Sequence, residues 1–561
     1  MKLRATPLLG LTSGLAFSAA LAMGAAPGCF VSDNPASSGS RGTGAAGGTD
    51  GGNTPKGADG PQRAADRPFH NDVGDMSAGQ VIFRMETFGN EGFFTDAVKL
   101  PAGIVAAKLT PIGALVAGYN VNVEVLDQAT RDAIVAELKT DLSPAKAPKL
   151  NDPATTIALI NANAIIGVVA RDSNNDGKID ILGADKVGVS CAFCHAITDG
   201  SVFSMPKGGS IGKQIDGPTP HNLNVGATFA LAANTRALYP LAQLSLKANG
   251  GKTIGRAPQG LTGDSTEAEF DAYFNNPAYY PIGMFDDQPD GNGAPMHITP
   301  MFRADLSAPY GSEGAIAKLD DFSNLVYTVL FDLTNLTTPG GRALLHGLAG
   351  PAGDELADTY AKILTDTGVT GFPYVKGVTM TKPGSEEGPA GMRLDNKKLL
   401  DLSAYMQSLS APAGAKVDAA AAERGRERFR LDCTSCHNVD QSKFVPQMVI
   451  PMKQVWPGDN PVILAMRMPP LNPVEDTPGN IFDDKMVVVN ASIFRGDVRG
   501  LALPLLLDLA RKPVFLHDNS VPSLDALFDA KRGHDAPHPF YLNAGAERTD
   551  MIAFLESLSA K

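Results

Sequence analysis

Two copies of the pattern Cys-x-x-Cys-His are the residues whose types and spacing best indicate chemistry in this chain. They use four of the five cysteines among 561 residues, and they comprise Cys191, Cys194 and His195, then Cys433, Cys436 and His437. The pattern is the attachment signature of c-type haem. Cysteines three residues apart face the same way on one helical turn, so both sulfurs can form thioethers to one porphyrin edge, and the adjacent imidazole can bind the iron. We therefore predict two covalent haems, haem 1 at the first copy and haem 2 at the second.

Two other readings of four cysteines are weaker. A single zinc site would need both pairs together, yet the pairs lie more than two hundred residues apart and each has its own histidine. A thioredoxin-like redox pair has no need of that histidine twice and would require a βαβ setting.

The second axial ligand of each iron decides whether that haem only transfers electrons or also binds peroxide or oxygen. For haem 2 the candidates are His517, His534 and His538, together with methionines that follow the second copy: Met448, Met452, Met466 and Met468. For haem 1, His221 lies 26 residues after His195, and further candidates are Met205, Met296, His297 and Met301. The sequence leaves these alternatives open.

The stretch 172–180, "DSNNDGKID", resembles the first nine positions of an EF-hand calcium loop. Side-chain oxygens stand at Asp172, Asn174, Asp176 and Asp180, the carbonyl of Lys178 fills the seventh position, and Gly177 allows the tight turn. The closing glutamate is absent, because Gly183 occupies its place and Asp185 is the nearest substitute. We predict a bound Ca²⁺ here, against the alternative of a solvated turn.

The N-terminus predicts export. Residues 1–28 contain Lys2 and Arg4, an apolar run and then small residues, which is typical of a signal peptide. The "AAPGC" that ends at Cys29 resembles a bacterial lipoprotein cleavage site, so we predict lipidation of Cys29 and a periplasmic or cell-surface protein anchored only by that lipid. The alternative is ordinary secretion with a spare thiol. Residues 29–66 are rich in Gly and Ser and predict a flexible tether.

Composition excludes some partners and suits a globular chain of more than one domain. Hydrophobic residues make up 43% and charged residues 19%, and the net charge of −12 argues against nucleic acid and anionic membrane surfaces.

Features around the two cysteine units repeat. "LLDLSAYMQSLSAP" (399–412) matches "DMIAFLESLSA" (550–560), with Tyr405 and Phe554 at the centre of each predicted helix. Tyr310 and Phe515 are each followed nine residues later by a Leu-Asp pair. We read this as a duplication and predict haem domains at 67–410 and 411–561, with the hinge at 411–422.

The predicted fold is mainly α, with two cytochrome c-like domains, long loops and an N-terminal extension. A helix is predicted in the extension at 155–170, "TTIALINANAIIGVVA", and another should lead directly into Cys433 through "AAAERGRERFRLD".

With these motifs in place, the chain from about residue 79 onward resembles the bacterial di-haem cytochrome c peroxidase and MauG superfamily, and most of all its larger members, which include di-haem rubber oxygenases. The stretches that carry the resemblance are "GQVIFRMETFGNEGFFTD", "VGVSCAFCHAITDG", "IGKQIDGPTPHNLNVGA" and "FLHDNSVPSL".

The resemblance implies a high-potential haem that accepts electrons, a second haem where peroxide or oxygen reacts, and calcium near the domain junction. The family's aromatic-x-His-Asp loop is matched by Phe515, His517 and Asp518, and the family places a sixth ligand beyond that loop. His534 is therefore favoured over His517 for haem 2. Ser312 stands where the second half has His517, so the two haem pockets should differ.

Three functions follow as expectations. The first is a peroxidase-type oxidoreductase, in which a small redox protein reduces haem 2 and H₂O₂ reacts at haem 1, with His221 as distal acid and base. The second is an electron-transfer cytochrome without catalysis. The third is an oxygenase that cleaves an apolar substrate with O₂.

Overall fold

The computed structural model describes residues 74–251, 253, 255–304, 310–311, 316–434, 437, 449–451, 500–502, 504–516, 518–533 and 536–559. All of these belong to one compact unit, Asp59–Lys561. The chain is mostly helical, with 42% helix and 10% strand, which confirms the prediction of a mainly α fold.

The α-helices are mostly short, and long loops join them. In chain order they are α1 (Met76–Met85), α2 (Leu100–Ala106), α3 (Pro111–Val116), α4 (Gln128–Glu137), α5 (Pro153–Asn161), α6 (Ala192–His195), α7 (Val225–Ala230), α8 (Glu267–Phe274), α9 (Leu319–Leu325), α10 (Pro339–Ala349), α11 (Pro351–Asp366), α12 (Asn396–Ser408), α13 (Ala419–Asp432), α14 (Leu524–Leu527) and α15 (Ala546–Glu556).

The strands form small separate sheets. They are β1 (Val121–Asn122), β2 (Val168–Arg171), β3 (Lys186–Val189), β4 (Ala196–Thr198), β5 (Phe203–Ser204), β6 (Ser210–Gly212), β7 (Gln214–Asp216), β8 (Met284–Phe285), β9 (Met296–His297), β10 (Thr379–Met380), β11 (Met392–Arg393), β12 (Val449–Pro451) and β13 (Gly500–Ala502). The sheet orders are β1-β6-β5, then the pairs β2-β3, β4-β7, β8-β9, β10-β11 and β12-β13. All pairings are antiparallel except the parallel β1-β6 pair.

In each half two helices cross closely in the same way, and we call these two helices the frame of that half. Helix α1 packs on α12 at Gly79, where a Cβ would lie 2.0 Å from the Asp401 carbonyl oxygen and 2.7 Å from the Cβ of Tyr405. Helix α13 packs on α15 at Gly425, where a Cβ would lie 2.0 Å from the Asp550 carbonyl oxygen and 2.8 Å from the Cβ of Phe554. The aromatic residues that matched in sequence therefore face a glycine in both halves. Only glycine permits such close helix crossing.

A second repeated feature precedes the closing helices. Tyr310 forms a short antiparallel bridge with Ile316, and Phe515 forms one with Val521. Leu319 and Leu524, the leucines of the two Leu-Asp pairs, then begin α9 and α14.

The buried apolar side chains form two separate cores. The larger core runs from Ile82 to Ala411, and the smaller from Phe429 to Leu555. The division falls at the predicted hinge, 411–422, while the domain limits 67–410 and 411–561 stay a prediction. Ser312, Cys29 and all of residues 1–66, with the predicted signal peptide and tether, lie outside the described residues.

The helix predicted at 155–170 is wrong in its second half. Helix α5 ends at Asn161, and Val168–Arg171 form β2 against β3. Asn163 and Gly167 take positive φ values of 54° and 76°, so the chain turns twice between helix and strand. Glycine and asparagine adopt this backbone at the lowest cost, and they override the apolar periodicity here.

Candidate haem sites

The first cysteine unit forms a single helical turn directly after a strand. The Cys191 residue caps the four-residue helix α6, and the His195 backbone N–H donates to the Cys191 carbonyl at 3.1 Å. Strand β3 leads into this turn and β4 leaves it. Both thiols and the imidazole therefore lie on one helical turn, as attachment of a c-type haem requires.

The frame helices hold this turn in place. The Ser190 hydroxyl donates to the Arg84 carbonyl of α1 at 2.8 Å, which ties the start of the turn to that helix. The Arg84 Nε and the Tyr405 hydroxyl of α12 each donate to Asp216 Oδ2 at 2.6 Å. Asp216 pairs with Ala196 in the β4-β7 ladder, directly after His195. Both frame helices therefore meet at the backbone that follows the candidate ligand.

The two thiols of the first site are not poised as thiolates. Burial raises the pKa of Cys191 to about 11 and that of Cys194 to about 12. Cys191 Sγ lies 3.4 Å from the Tyr327 hydroxyl, which donates to the Glu86 carbonyl. A reactive or metal-binding thiol needs a depressed pKa, so this environment does not fit a thiol redox pair.

His195 offers a neutral imidazole. Burial lowers its pKa to about 4, although a hydrogen bond with the Thr299 backbone acts in the opposite direction. The Nδ1 atom is buried and has no hydrogen-bond partner. A buried nitrogen left unpaired is costly, and a neutral imidazole is the form that binds a metal. The donor set therefore fits a haem iron.

An apolar hollow adjoins Cys194. Seven aromatic side chains line it together with aliphatic residues such as Val225 and Leu330, and the aromatic ones are Phe93, Phe94, Tyr119, Phe193, Phe229, Phe285 and Phe331. The two hydroxyls on its wall, those of Tyr119 and Thr228, are 2.7 Å apart and bond to each other. The hollow therefore places apolar side chains next to Cys194, the cysteine that would be bonded to the edge of the porphyrin.

The second cysteine unit shares one backbone hydrogen bond with the first. Helix α13 ends at Asp432 and delivers Cys433, whose N–H donates to the Phe429 carbonyl at 2.9 Å, as predicted for this run. The His437 N–H donates to the Cys433 carbonyl at 2.8 Å, which matches the Cys191–His195 bond. Cys436 lies outside the described residues.

A second histidine faces His437. The ring centres of His437 and His538 are 6.2 Å apart, with their planes at 61°. Burial lowers the pKa of His437 to about 4 and that of His538 to about 3, and both Nδ1 atoms are buried without a hydrogen-bond partner. A metal held between two imidazoles at about 2 Å from each nitrogen sets the ring centres about 6 Å apart. This pair fits an iron held from both sides.

The sequence favours His534 over His517 for that position, and both lie outside the described residues. His538 is the third candidate, and no sequence signal separates it from His534. Its selection depends on the loop fold, because Arg532 donates to the carbonyls of Pro537 at 2.7 Å and His538 at 3.4 Å.

His221, the predicted acid and base, lies in the loop after β7. Its ring stacks on His297 at 5.4 Å with an interplanar angle of 22°. Burial lowers its pKa to about 3, and the nearby positive charges of Arg511 and Lys512 act in the same direction. His221 is therefore neutral at pH 7 and close to the C-terminal half.

The calcium-like loop has the turn predicted for it. Gly177 has a φ of +80°, and Asp172 accepts hydrogen bonds from the Asp176 and Gly177 N–H groups at 3.1 and 2.9 Å. Asp185 accepts from the N–H groups of Ser173 and Asp180 at 2.8 and 2.7 Å, so it joins the two ends of the loop. Within the described residues, no three His, Cys, Asp or Glu side chains are grouped as a metal site. Calcium therefore stays a prediction.

Comparison with protein-family models, with curated proteins and with solved structures found no match. Among the described helices, none has both the length and the apolarity needed to cross a bilayer.

Proposed function

We propose that this chain is an exported di-haem c-type cytochrome with peroxidase-type oxidoreductase activity, in which haem 2 receives electrons and haem 1 is the reaction site. The observation that carries this proposal is an asymmetry between the two candidate sites. His437 has a second imidazole at 6.2 Å, whereas His195 contacts no other histidine ring in the part of the chain that the structure describes.

At the second site, His437 and His538 would hold the iron from both faces. An iron with two firm protein ligands has no open position for a substrate, so its role is electron transfer. Both imidazoles are neutral at pH 7, so no proton has to leave before they bind.

At the first site, Cys191 and Cys194 would carry the porphyrin and His195 would bind the iron. A haem bound there supplies the redox chemistry for reducing H₂O₂ to two water molecules, which takes two electrons and two protons. The protons need a group that can accept and donate them. A neutral buried imidazole can do so, and His221 is our candidate for that role.

The test is electron paramagnetic resonance of the resting protein. We expect one low-spin signal from the second site and one signal from an iron with an open or weakly held position. The His538→Asn variant should lose the low-spin signal, and added imidazole should restore it. Asparagine is chosen because position 538 has a φ of +55°, which asparagine tolerates.

His346 provides a matched control, since its ring lies 61% exposed on α10. His346→Asn should leave both signals unchanged. Addition of H₂O₂ to the reduced wild type should give turnover beyond that of free haem. Two low-spin irons that bind neither cyanide nor peroxide would instead support the electron-transfer cytochrome.

The apolar hollow favours a second candidate function, an oxygenase that cleaves an apolar substrate with O₂ at haem 1. The apolar side chains that line the hollow adjoin Cys194, and an apolar substrate would contact no unpaired polar group there. This function predicts a long-lived oxygen complex of the reduced first site, and replacement of Val225 by Trp should block substrate without changing the haem content.

The remaining expectations belong to the same proposal. We propose a signal peptide, lipidation at Cys29, a small redox protein as electron donor, and Ca²⁺ at the loop that begins at Asp172. The N-terminal residues support the first two points and the spacing from Asp172 to Asp180 supports Ca²⁺, while the resemblance of the quoted stretches to the di-haem peroxidase and MauG superfamily supports Ca²⁺ and the electron donor.

A further inference from the structure

One hydrogen bond joins segments that belong to the two candidate sites. His297 Nδ1 and Asn519 Oδ1 are 2.9 Å apart, although the two residues are 222 positions apart in sequence. His297 ends strand β9 and is only 5% exposed. Asn519 follows Asp518 in the aromatic-x-His-Asp loop of the second half.

From His297 the chain leads to the first site in two residues. The Thr299 backbone lies near enough to the His195 ring to raise the pKa of that imidazole, against the larger lowering by burial. The Ile298 carbonyl between them accepts from Thr219 Oγ1 at 2.9 Å, which fixes this segment against the loop that carries His221. The stacked His221 ring supports His297 from the side.

From Asn519 a second set of contacts leads to the other site. Asp518 is 5% exposed, and its charge acts on the Arg532 guanidinium. Arg532 donates to the carbonyl of His538, and the His538 ring faces His437. A series of neighbouring groups therefore leads from His195 towards His437, and the His297–Asn519 hydrogen bond is where this series crosses between the halves.

We infer that His297 and Asn519 form the bridge through which the two haem sites exchange electrons, and this inference rests on the proposed function. In each transfer the donor site loses one electron and the acceptor site gains it, while no bond is broken and no proton moves. Electron tunnelling decays less steeply through covalent and hydrogen bonds than through gaps. The His297–Asn519 bond should therefore affect the rate more than the Arg256–Asp518 contact, which reaches the same loop from the first half.

The experiment measures how fast an electron equilibrates between the haems after carbon monoxide is photolysed from the half-reduced protein. Asn519→Gly removes the acceptor but suits the local φ of +60°, and His297→Phe keeps a ring against His221 but removes the donor. Each should slow the exchange relative to the wild type. Asn519→Asp keeps an acceptor oxygen and should retain the wild-type rate.

Arg256→Gln is the matched control. Arg256 Nη2 donates to the Asp518 carbonyl at 2.8 Å, so this contact reaches the same loop but does not lead to Thr299 and His195. The control should leave the rate unchanged. If Arg256→Gln slowed the exchange as much, any contact at this loop would affect the rate, and the bridge would be refuted. If Asn519→Gly and His297→Phe left the rate unchanged, the His297–Asn519 bond would not affect it, and the bridge would again be refuted.

Two further measurements separate this inference from the proposed function. The haem content and the resting resonance signals should be the same in all four variants, so that a slower exchange is not a loss of either site. If the wild type carries two haems but Asn519→Gly and His297→Phe exchange electrons at its rate, only the bridge is refuted. If the wild type does not carry two haems, the bridge and the proposed function are both refuted.

Discussion

A methyl group added at Gly79 should destabilise the first half of the molecule alone. The Gly79→Ala Cβ would lie 2.0 Å from the Asp401 carbonyl oxygen, so α1 and α12 would have to separate by about 1.5 Å to restore van der Waals contact. The same change at Gly425 meets the Asp550 carbonyl at 2.0 Å and should act on the second half alone.

The size of the effect follows from two opposing contributions. Alanine is favoured over glycine inside a helix by about 1 kcal/mol. Overpacking of a tight contact costs about 1–3 kcal/mol, and more when the obstructing atom is backbone that cannot rotate away. The difference is about 0–2 kcal/mol, and because a backbone oxygen obstructs both crossings we expect the upper end, a net destabilisation of about 2 kcal/mol. Gly347 of α10, where a Cβ would meet no atom within 4 Å, isolates the helix preference and should gain about 1 kcal/mol.

Hydrogen exchange measured by mass spectrometry resolves these effects helix by helix. Gly79→Ala should lower protection in α1 and α12 and leave α13 and α15 as in the wild type, while Gly425→Ala should do the reverse. Gly347→Ala should raise protection in α10. If Gly79→Ala raised protection in α1 as Gly347→Ala does in α10, or loosened both frames equally, the two glycine crossings would not be separate structural units.

Three further predictions test the buried charges, the histidines and the cysteine pairs. Arg393→Met should cost about 3–5 kcal/mol in denaturant unfolding, because it leaves the Asp321 carboxylate, 2.6 Å away, buried without its cation; a cost below 1 kcal/mol would contradict this. The unfolded-state pKa of His221 lies above its folded value of about 3, so the unfolded chain binds a proton first and stability is lost as pH falls from about 6.5 towards 3. His221→Phe should remove up to about 5 kcal/mol of that acid loss, and an unaltered pH–stability curve would count against it. Replacing both Cys433 and Cys436 by Ser should halve the haem measured as pyridine haemochrome, whereas an unchanged haem content would exclude attachment there.

The repeated elements could be predicted from the sequence because local pattern alone determines them. The run before Cys433 forms α13, and the stretches around Tyr405 and Phe554 form α12 and α15, since apolar residues recur at helical spacing and no proline interrupts them. The one glycine inside these helices, Gly425 of α13, lies at the close crossing with α15. At 155–170 the same apolar signal failed. Asn163 and Gly167 take positive φ there, so backbone conformation overrides the hydrophobic pattern.

The parts of the sites that depend on distant contacts could not be predicted. The turns that carry the two cysteine units could be predicted, because Cys-x-x-Cys-His is a local motif. Both copies form the same backbone hydrogen bond. His538 could not be preferred over its neighbours, since its approach to His437 depends on how Arg532 folds the loop. The His297–Asn519 contact joins two halves, and no local pattern in either half indicates it.

Under the proposed function the two sites differ although their helix pairs are built alike. The crossings at Gly79 and Gly425 have nearly the same contact distances. What surrounds each cysteine turn differs between the halves. In the second half a loop held by Arg532 places His538 against His437, whereas in the first half helices and strands, among them α2, α7 and β2, line an apolar hollow beside Cys194. Different elements packed on similar helix pairs would therefore be sufficient to make one copy an electron carrier and to leave the other open to substrate.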